Sequence, residues 1–251
     1  MSSMELAAQP SWQAVDFISD LHLQVSEPAT FAAWQHYMQT TPADAVFILG
    51  DLFEVWVGDD VLQERGFEHQ CEQVIEQTAS RVPIFFMHGN RDFLVGNGLM
   101  TACNITLLTD PTVISFNHQR WLLSHGDALC LDDTDYMAFR QQVRSSGWQK
   151  TFLAKPLAER QAVARGLREQ SEARKQSGVE YADVCDQAAQ QLLLEANAST
   201  LIHGHTHKPA IHDLGNGLQR VVLADWDALA KPARAEVLRL SSTGLQRIST
   251  V

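Results

Sequence analysis

The chain has little cysteine and no pairing of it. Cys71, Cys103, Cys130 and Cys185 are the only four in 251 residues, and none forms a CxxC pair, so neither a zinc knuckle nor a disulfide framework is expected and a reducing compartment fits. Cationic residues are also scarce. Nineteen Lys and Arg stand against 30 Asp and Glu, a formal net charge of −11, which argues against a general nucleic-acid binder. No apolar run approaches the length of a membrane span, and the first ten residues, Met1 to Pro10, lack a basic then apolar leader, so a cytoplasmic protein is expected. Repeats, linkers and low-complexity tracts are absent as well. With 45% hydrophobic and 20% charged residues, the chain can bury one substantial core, and a single domain over 1–251 is expected.

What is present is a recurring form, an apolar run that ends in small residues and metal-binding side chains. Val46 to Leu49 reads as a buried strand, and the Gly50-Asp51 that follows puts a carboxylate where open α/β sheets keep their ligands. The same form ends in Ser19-Asp20-Leu21-His22, in His88-Gly89-Asn90-Arg91-Asp92, in His125-Gly126-Asp127 and in Gly204-His205-Thr206-His207. Alone, Asp20-Leu21-His22 would be a surface loop and Gly89 to Asp92 a turn. His203, His205 and His207 within five residues have little structural use, however, and the five endings together supply the donors of a two-metal site.

The order of elements supports this. Trp12 to Ile18 predicts a first strand, and Glu27-Pro28 a helix start with Phe31, Trp34, Tyr37 and Met38 on its core face. Glu64 to Arg81 predicts a second helix and Ile84 to Met87 a third strand, which together imply a parallel sheet. Shorter strands at Val113 to Phe116 and Arg120 to Ser124, joined at Asn117-His118, predict a second and more antiparallel sheet. Residues 133–197 contain only Gly147, Pro156, Gly166 and Gly178 as breakers and read as a helical insertion. Strands are expected again at Thr200 to Ile202, Ala210 to Leu214, Arg220 to Leu223 and Ala235 to Leu240.

Two divalent ions a few Å apart need a bridging carboxylate, with imidazole and amide or carboxylate oxygens completing each sphere. Asp51 is the expected bridge. Asp20, His22 and His207 would complete one ion, and Asn90, His125 and His205 the other. A water held between the ions would be the nucleophile.

In this order the motifs resemble the calcineurin-like metallophosphoesterases, over residues 15 to about 225. That resemblance implies an α/β (or α+β) fold, a two-sheet β-sandwich flanked by helices, with a helical cap at about 133–197. More narrowly, Leu49 to Glu54, Trp56 to Asp60, His88 to Leu94, His125-Gly126-Asp127 with Asp132-Asp133, and Ile202 to Pro209 are similar to the branch of the family that acts on UDP-2,3-diacylglucosamine. The likeness implies two Mn²⁺ per chain and hydrolysis of that substrate to 2,3-diacylglucosamine 1-phosphate and UMP, by attack of metal-bound water on the α-phosphorus. It further implies a peripheral protein, expected as a monomer, on the cytoplasmic face of the bacterial inner membrane. By the same likeness Asp51, Asn90, Arg91 and His205 are catalytic, and Asn90, Arg91, Asp133, Ser171, Lys175 and His205 contact substrate. After Ser171, residues Glu172 to Gly178 depart from the family's pattern, and Lys175 is the basic contact chosen there.

Two features of the residues themselves point the same way. Many family members carry His where this chain has Arg91; a pyrophosphate already has a good leaving group, so a fixed guanidinium serves it better than a general acid. Residues 140–175 are net positive, with Trp148, Phe152, Leu153, Leu157, Val163 and Leu167 among the cations, as for a cap that receives acyl chains on an anionic membrane. These apolar residues could equally pack the cap onto the sandwich. A nucleotide or phosphoprotein phosphatase would keep all seven ligands without needing such a cap, and a non-catalytic scaffold should have lost a ligand.

Overall fold

The computed structural model describes residues 4–176 and 182–250, the side chains of 169–176 excepted. Mostly apolar and mostly buried runs form the middle of the first sheet: β2 (Ala14–Ile18), β3 (Ala45–Leu49) and β4 (Ile84–Met87) run parallel, with Ile18 beside Ile48 and Leu49 beside Met87. Strand β5 (Thr106–Leu108) extends the parallel side, and β11 (Glu236–Ser241) and β12 (Gly244–Ser249) add an antiparallel edge beyond β2.

The second sheet also has six strands, in the order β1 (Met4–Ala7), β6 (Thr112–Phe116), β7 (Gln119–Ser124), β8 (Thr200–His203), β10 (Leu218–Val222), β9 (Ile211–Gly215). It is mixed rather than mainly antiparallel, which corrects the expectation from sequence. Only the β6–β7 and β9–β10 hairpins are antiparallel; β7 and β8 lie parallel because a long helical connection carries the chain back to the same end. Strand β1 pairs parallel with β6.

Side-chain alternation sends each strand's residues to two different layers. Phe17, Phe47 and Phe85 face inward from the first sheet, Phe47 and Phe85 stacked at 4.7 Å, and meet Ile114, Leu123, Ile202 and Val221 of the second. Ile18, Val46, Ile48, Ile84 and Phe86 face outward, against Trp34 and Met38 of α1 (Pro28–Thr40), Val74 and Ile75 of α2 (Phe67–Ala79), and Leu99 and Met100 of α3 (Asn97–Cys103). The order is helices, sheet, sheet, helix. Helix α2 begins three residues later than predicted because Arg65 takes a left-handed conformation and Gly66 precedes the first helical turn.

Among the described residues, four α-helices lie between β7 and β8: α4 (Thr134–Val143), α5 (Ser146–Leu153), α6 (Leu157–Gln176) and α7 (Asp186–Glu195). Ala189 and Leu193 of α7 pack on Val113, Leu122 and Leu201, the outer face of the second sheet. Phe152 of α5 is buried in the outer cluster of the first sheet, with Trp148 and Leu157 packed against it. Arg160 of α6 is almost fully buried and bonds the Val57 carbonyl and both oxygens of Asp60. The neighbouring Asp59 accepts from Gly96, Gly98 and Leu99 at the start of α3 and from the Trp56 indole at 3.0 Å. The stretch from Trp56 to Asp60 therefore ties α6 to the start of α3.

Candidate active site

Because β2, β3 and β4 are parallel, the residues that follow them emerge at one rim; β7 and β8 bring His125 and Gly204 to the same place, linked by Gly204 N–H to the His125 carbonyl at 3.0 Å. All seven residues chosen from sequence as metal ligands meet here. His22 and His207 face one another, Nε2 to Nε2 at 3.2 Å, and Asp20 Oδ1 is 3.3 Å from the His207 Nε2. Asn90 Oδ1 lies between His125 Nε2 at 2.9 Å and His205 Nδ1 at 2.8 Å. Asp51 Oδ2 stands between the two groups, 3.9 Å from His22 Nε2 and 3.8 Å from His125 Nε2.

Two sets have donor atoms within 4.8 Å of one another, Asp20 with His22 and His207, and Asp20 with Asp51 and His125. Asp20 belongs to both. The sequence reading gave it to one ion only. One backbone and one side-chain oxygen stand behind two of the rings: His125 Nδ1 meets the Leu49 carbonyl at 2.9 Å, and His22 Nδ1 is 3.0 Å from Glu54 Oε2, so each turns Nε2 inward.

The electrostatics are those of a cation site. Burial alone would raise the Asp20 carboxyl, but the hydrogen bond and charge of His207, with His125 and His22 beyond, hold it far below the usual carboxylate range. Burial opposes charge on His125, yet the carboxylates of Asp51, Asp20 and Asp127 outweigh it and push the imidazole up to about 9. His205 goes the other way, down to about 4 through burial and the neighbouring His125, and stays neutral. Ring nitrogens aimed at one another, and one amide oxygen shared by two rings, suit a pair of divalent ions better than they suit each other.

Close approach makes glycine necessary at two points. A Cβ on Gly89 would lie 2.1 Å from Asp51 Oδ1, and Gly50 has φ +89° with a would-be Cβ 2.6 Å from the Gly89 Cα. The loops after β3 and β4 are thus pressed together without side chains between them.

Arg91 donates its backbone N–H to Asp51 Oδ1 at 2.8 Å and sets Nη1 3.5 Å from Glu54. Asp133 caps α4 by accepting from the Tyr136 N–H at 3.1 Å, and the Tyr136 ring lies 5.9 Å from that of His205. The side chains of Ser171 and Lys175 lie outside those described.

Three further carboxylates within the sequence motifs, Asp92, Asp127 and Glu54, support the site without belonging to the expected ligand set. Asp92 is buried and accepts from the N–H groups of Gly89, Asp51, Leu52 and Phe53 at 2.8 to 3.4 Å; burial and then the Asp51 charge push its carboxyl up to about 7. Asp127 accepts from the Tyr136 hydroxyl at 2.6 Å and Arg140 Nε at 2.7 Å, fastening α4 beside His205. Glu54 touches His22, Arg91 and Arg168. The usable signal was a carboxylate two residues after Asn90 and after His125, in loops already called ligand loops.

The profile of the calcineurin-like phosphoesterases matches residues 14–209, and the chain belongs to that family, a hydrolase whose donor set suits two divalent ions. Within the family it stands with the UDP-2,3-diacylglucosamine hydrolases. The enzyme of that name from Chromobacterium violaceum is 46% identical over 222 residues, covering 85% of this chain and 90% of that one. The one from Chromohalobacter salexigens is 39% identical over 238 residues, 92% of this chain and 94% of that one. A solved archaeal phosphodiesterase, 11% identical and aligned over 94% of this chain and 98% of its own with a TM-score of 0.50, shares the fold.

Proposed function

We propose that this protein hydrolyses the pyrophosphate bond of UDP-2,3-diacylglucosamine to UMP and 2,3-diacylglucosamine 1-phosphate, a step of lipid A biosynthesis. The observation that carries this reading is the 46% identity to a hydrolase named for that substrate, over 85% of the chain. Asp20, His22 and His207 would hold one ion and Asn90, His125 and His205 the other, with Asp51 between the two groups and Asp20 within reach of both. When bound, two divalent ions, manganese in this reading, acidify the attacking water and neutralise the phosphoryl oxygens.

The remaining roles belong to the chain itself. Asn90 and the neutral His205 orient the phosphoryl group, and Arg91 neutralises the leaving sugar phosphate, which needs no proton. Asp133, Ser171 and Lys175 contact substrate from the cap formed by α4, α5 and α6. Leu153, Val163 and Leu167 are exposed on that cap, with Lys150 and Arg165 nearby in sequence, a composition suited to acyl chains and an anionic leaflet. Among the described residues no helix is long and apolar enough to cross a membrane, so attachment in this reading is peripheral, by a monomer on the cytoplasmic face.

The test is turnover of UDP-2,3-diacylglucosamine beside a soluble UDP-sugar and a generic phosphodiester, with Mn²⁺ or chelator, in ¹⁸O-labelled water. Metal-dependent release of labelled UMP from the lipid substrate alone is expected. Equal or faster hydrolysis of the soluble substrates would overturn the substrate assignment.

A further inference from the structure

Glu54 follows Asp51 by three residues and is buried at 8% exposure, an uncommon place for a carboxylate without partners. Its backbone N–H donates to the Leu23 carbonyl at 3.2 Å, and Leu23 bridges Phe53, so the loops after β2 and β3 are joined just where Glu54 leaves them. The carboxylate then reaches three elements at once. Oε2 is 3.0 Å from His22 Nδ1; Oε1 is 3.2 Å from Arg168 Nε and 3.5 Å from Arg91 Nη1.

Each contact has a different consequence. A carboxylate 3.0 Å from Nδ1 favours the proton on that nitrogen electrostatically and leaves Nε2 as the donor facing His207 and Asp20, as for a metal-ligating imidazole. Arg91 and Arg168 are both cations beside a site that is to receive more positive charge; the shared oxygen offsets their repulsion and keeps both guanidinium groups close. Arg168 belongs to α6, and its Nη1 also donates to the Gln24 side chain at 2.8 Å. Glu54 and Gln24 are therefore where the cap grips the loop that carries His22. Burial would raise the Glu54 carboxyl, but His22, Arg91 and Arg168 together hold it below its usual value, consistent with a standing anion.

The geometry assigns Glu54 a positioning role for the hydrolysis proposed above: one carboxylate sets the His22 ring for metal, the Arg91 guanidinium for substrate and the Arg168 anchor of the cap. The Arg91 part of this role rests on the hydrolysis proposed above.

The test uses the full-length protein, with Glu54→Gln, Glu54→Asp, Arg168→Ala and the Glu54→Gln/Arg168→Ala double variant, judged where far-UV circular dichroism matches the parent. Mn²⁺ affinity is read by electron paramagnetic resonance, and kcat and KM are measured on UDP-2,3-diacylglucosamine and on a generic aryl phosphodiester. Glu54→Gln is expected to lose about 10- to 100-fold in Mn²⁺ affinity, the usual effect of removing a carboxylate behind a ligand histidine. Glu54→Asp, too short to span all three contacts, should behave similarly. Arg168→Ala should keep Mn²⁺ affinity and raise KM for the diacylated nucleotide, and should add little in the Glu54→Gln background. Unchanged Mn²⁺ affinity in both Glu54 variants, or independent multiplication of the Glu54→Gln and Arg168→Ala effects, would overturn the assignment. A parent protein that cleaves the aryl diester but not the diacylated nucleotide would sink the substrate reading alone, while the Mn²⁺ measurement would still decide the role of Glu54.

Discussion

His22 and His207, 185 residues apart in the chain, point the same ring nitrogen at each other across 3.2 Å. When each ring carries its proton on Nδ1 the two Nε2 lone pairs oppose one another, whereas a cation between them satisfies both.

Divalent metal should therefore stabilise the folded protein. At about 100 times Kd, the linkage contributes about 2.7 kcal/mol, which for a chain of this size raises Tm by about 5 to 10 °C. Scanning calorimetry with Mn²⁺ and with chelator measures this; identical curves would contradict the ion pair site.

Asp51 lies between both ligand groups, so Asp51→Ala should abolish turnover, with a loss of at least about 100-fold. Steady-state kinetics on the purified variant decide it. Near-normal activity would remove Asp51 from the bridging position.

Arg91 is expected to matter for its shape as well as its charge. Arg91→Ala should lower kcat by about 10²- to 10³-fold, as for loss of one oxyanion donor, and Arg91→Lys should recover only part of this, since an ammonium cannot present the planar fork. A full recovery by Lys would show that charge alone suffices.

Away from the site, Asp16 is completely buried in β2, and its oxygens accept from Arg239 Nε at 2.7 Å and Nη2 at 2.8 Å and from the Tyr37 and Thr41 hydroxyls at 3.0 Å. Arg239→Met should cost about 3 to 5 kcal/mol by leaving a buried carboxylate uncompensated. Urea unfolding reads the loss, and a change under about 1 kcal/mol would mean the hydroxyls suffice.

Thiol chemistry tests the burial of the cysteines. Cys71, Cys103 and Cys130 are buried, and burial pushes the Cys103 and Cys130 thiols up to about 12. Ellman's reagent on the native protein should find one fast thiol, the half-exposed Cys185, and four after denaturation. More than one fast thiol in the native state would contradict the packing around α2 and α3.

Much of this was legible in the chain because metal ligands at the ends of apolar runs are an unlikely accident. Asp20, Asp51, Asn90, His125 and His205 each sit one to three residues past a buried strand, and strand ends can be read without knowing what packs on what. The parallel pairing of β7 with β8 was less accessible, since two short strands give no sign of direction when the ends that meet, Ser124 and His203, are 79 positions apart. Strands β1 and β12 were missed because they are edges, half-exposed and without a continuous apolar run. The inward partners of the basic stretch 140–175 were not legible either. Arg160 and Arg168 are spent on Asp60 and Glu54, and Arg140 and Arg144 on Asp127 and the Gly89 carbonyl, so much of the basic stretch faces the protein. Long-range pairing of this kind leaves no local trace.

The donors come from both sheets: Asp20, Asp51 and Asn90 follow strands of one, His125 and His205 strands of the other. No half of the sandwich owns a complete ligand sphere. Metal uptake is thus a report on docking of the two layers, and it can occur only late in folding, after the slow closure of contacts distant in sequence. A bound ion pair would act as a rivet through the seam between the layers, slowing the global opening that hydrogen exchange detects in β3 and β8 together.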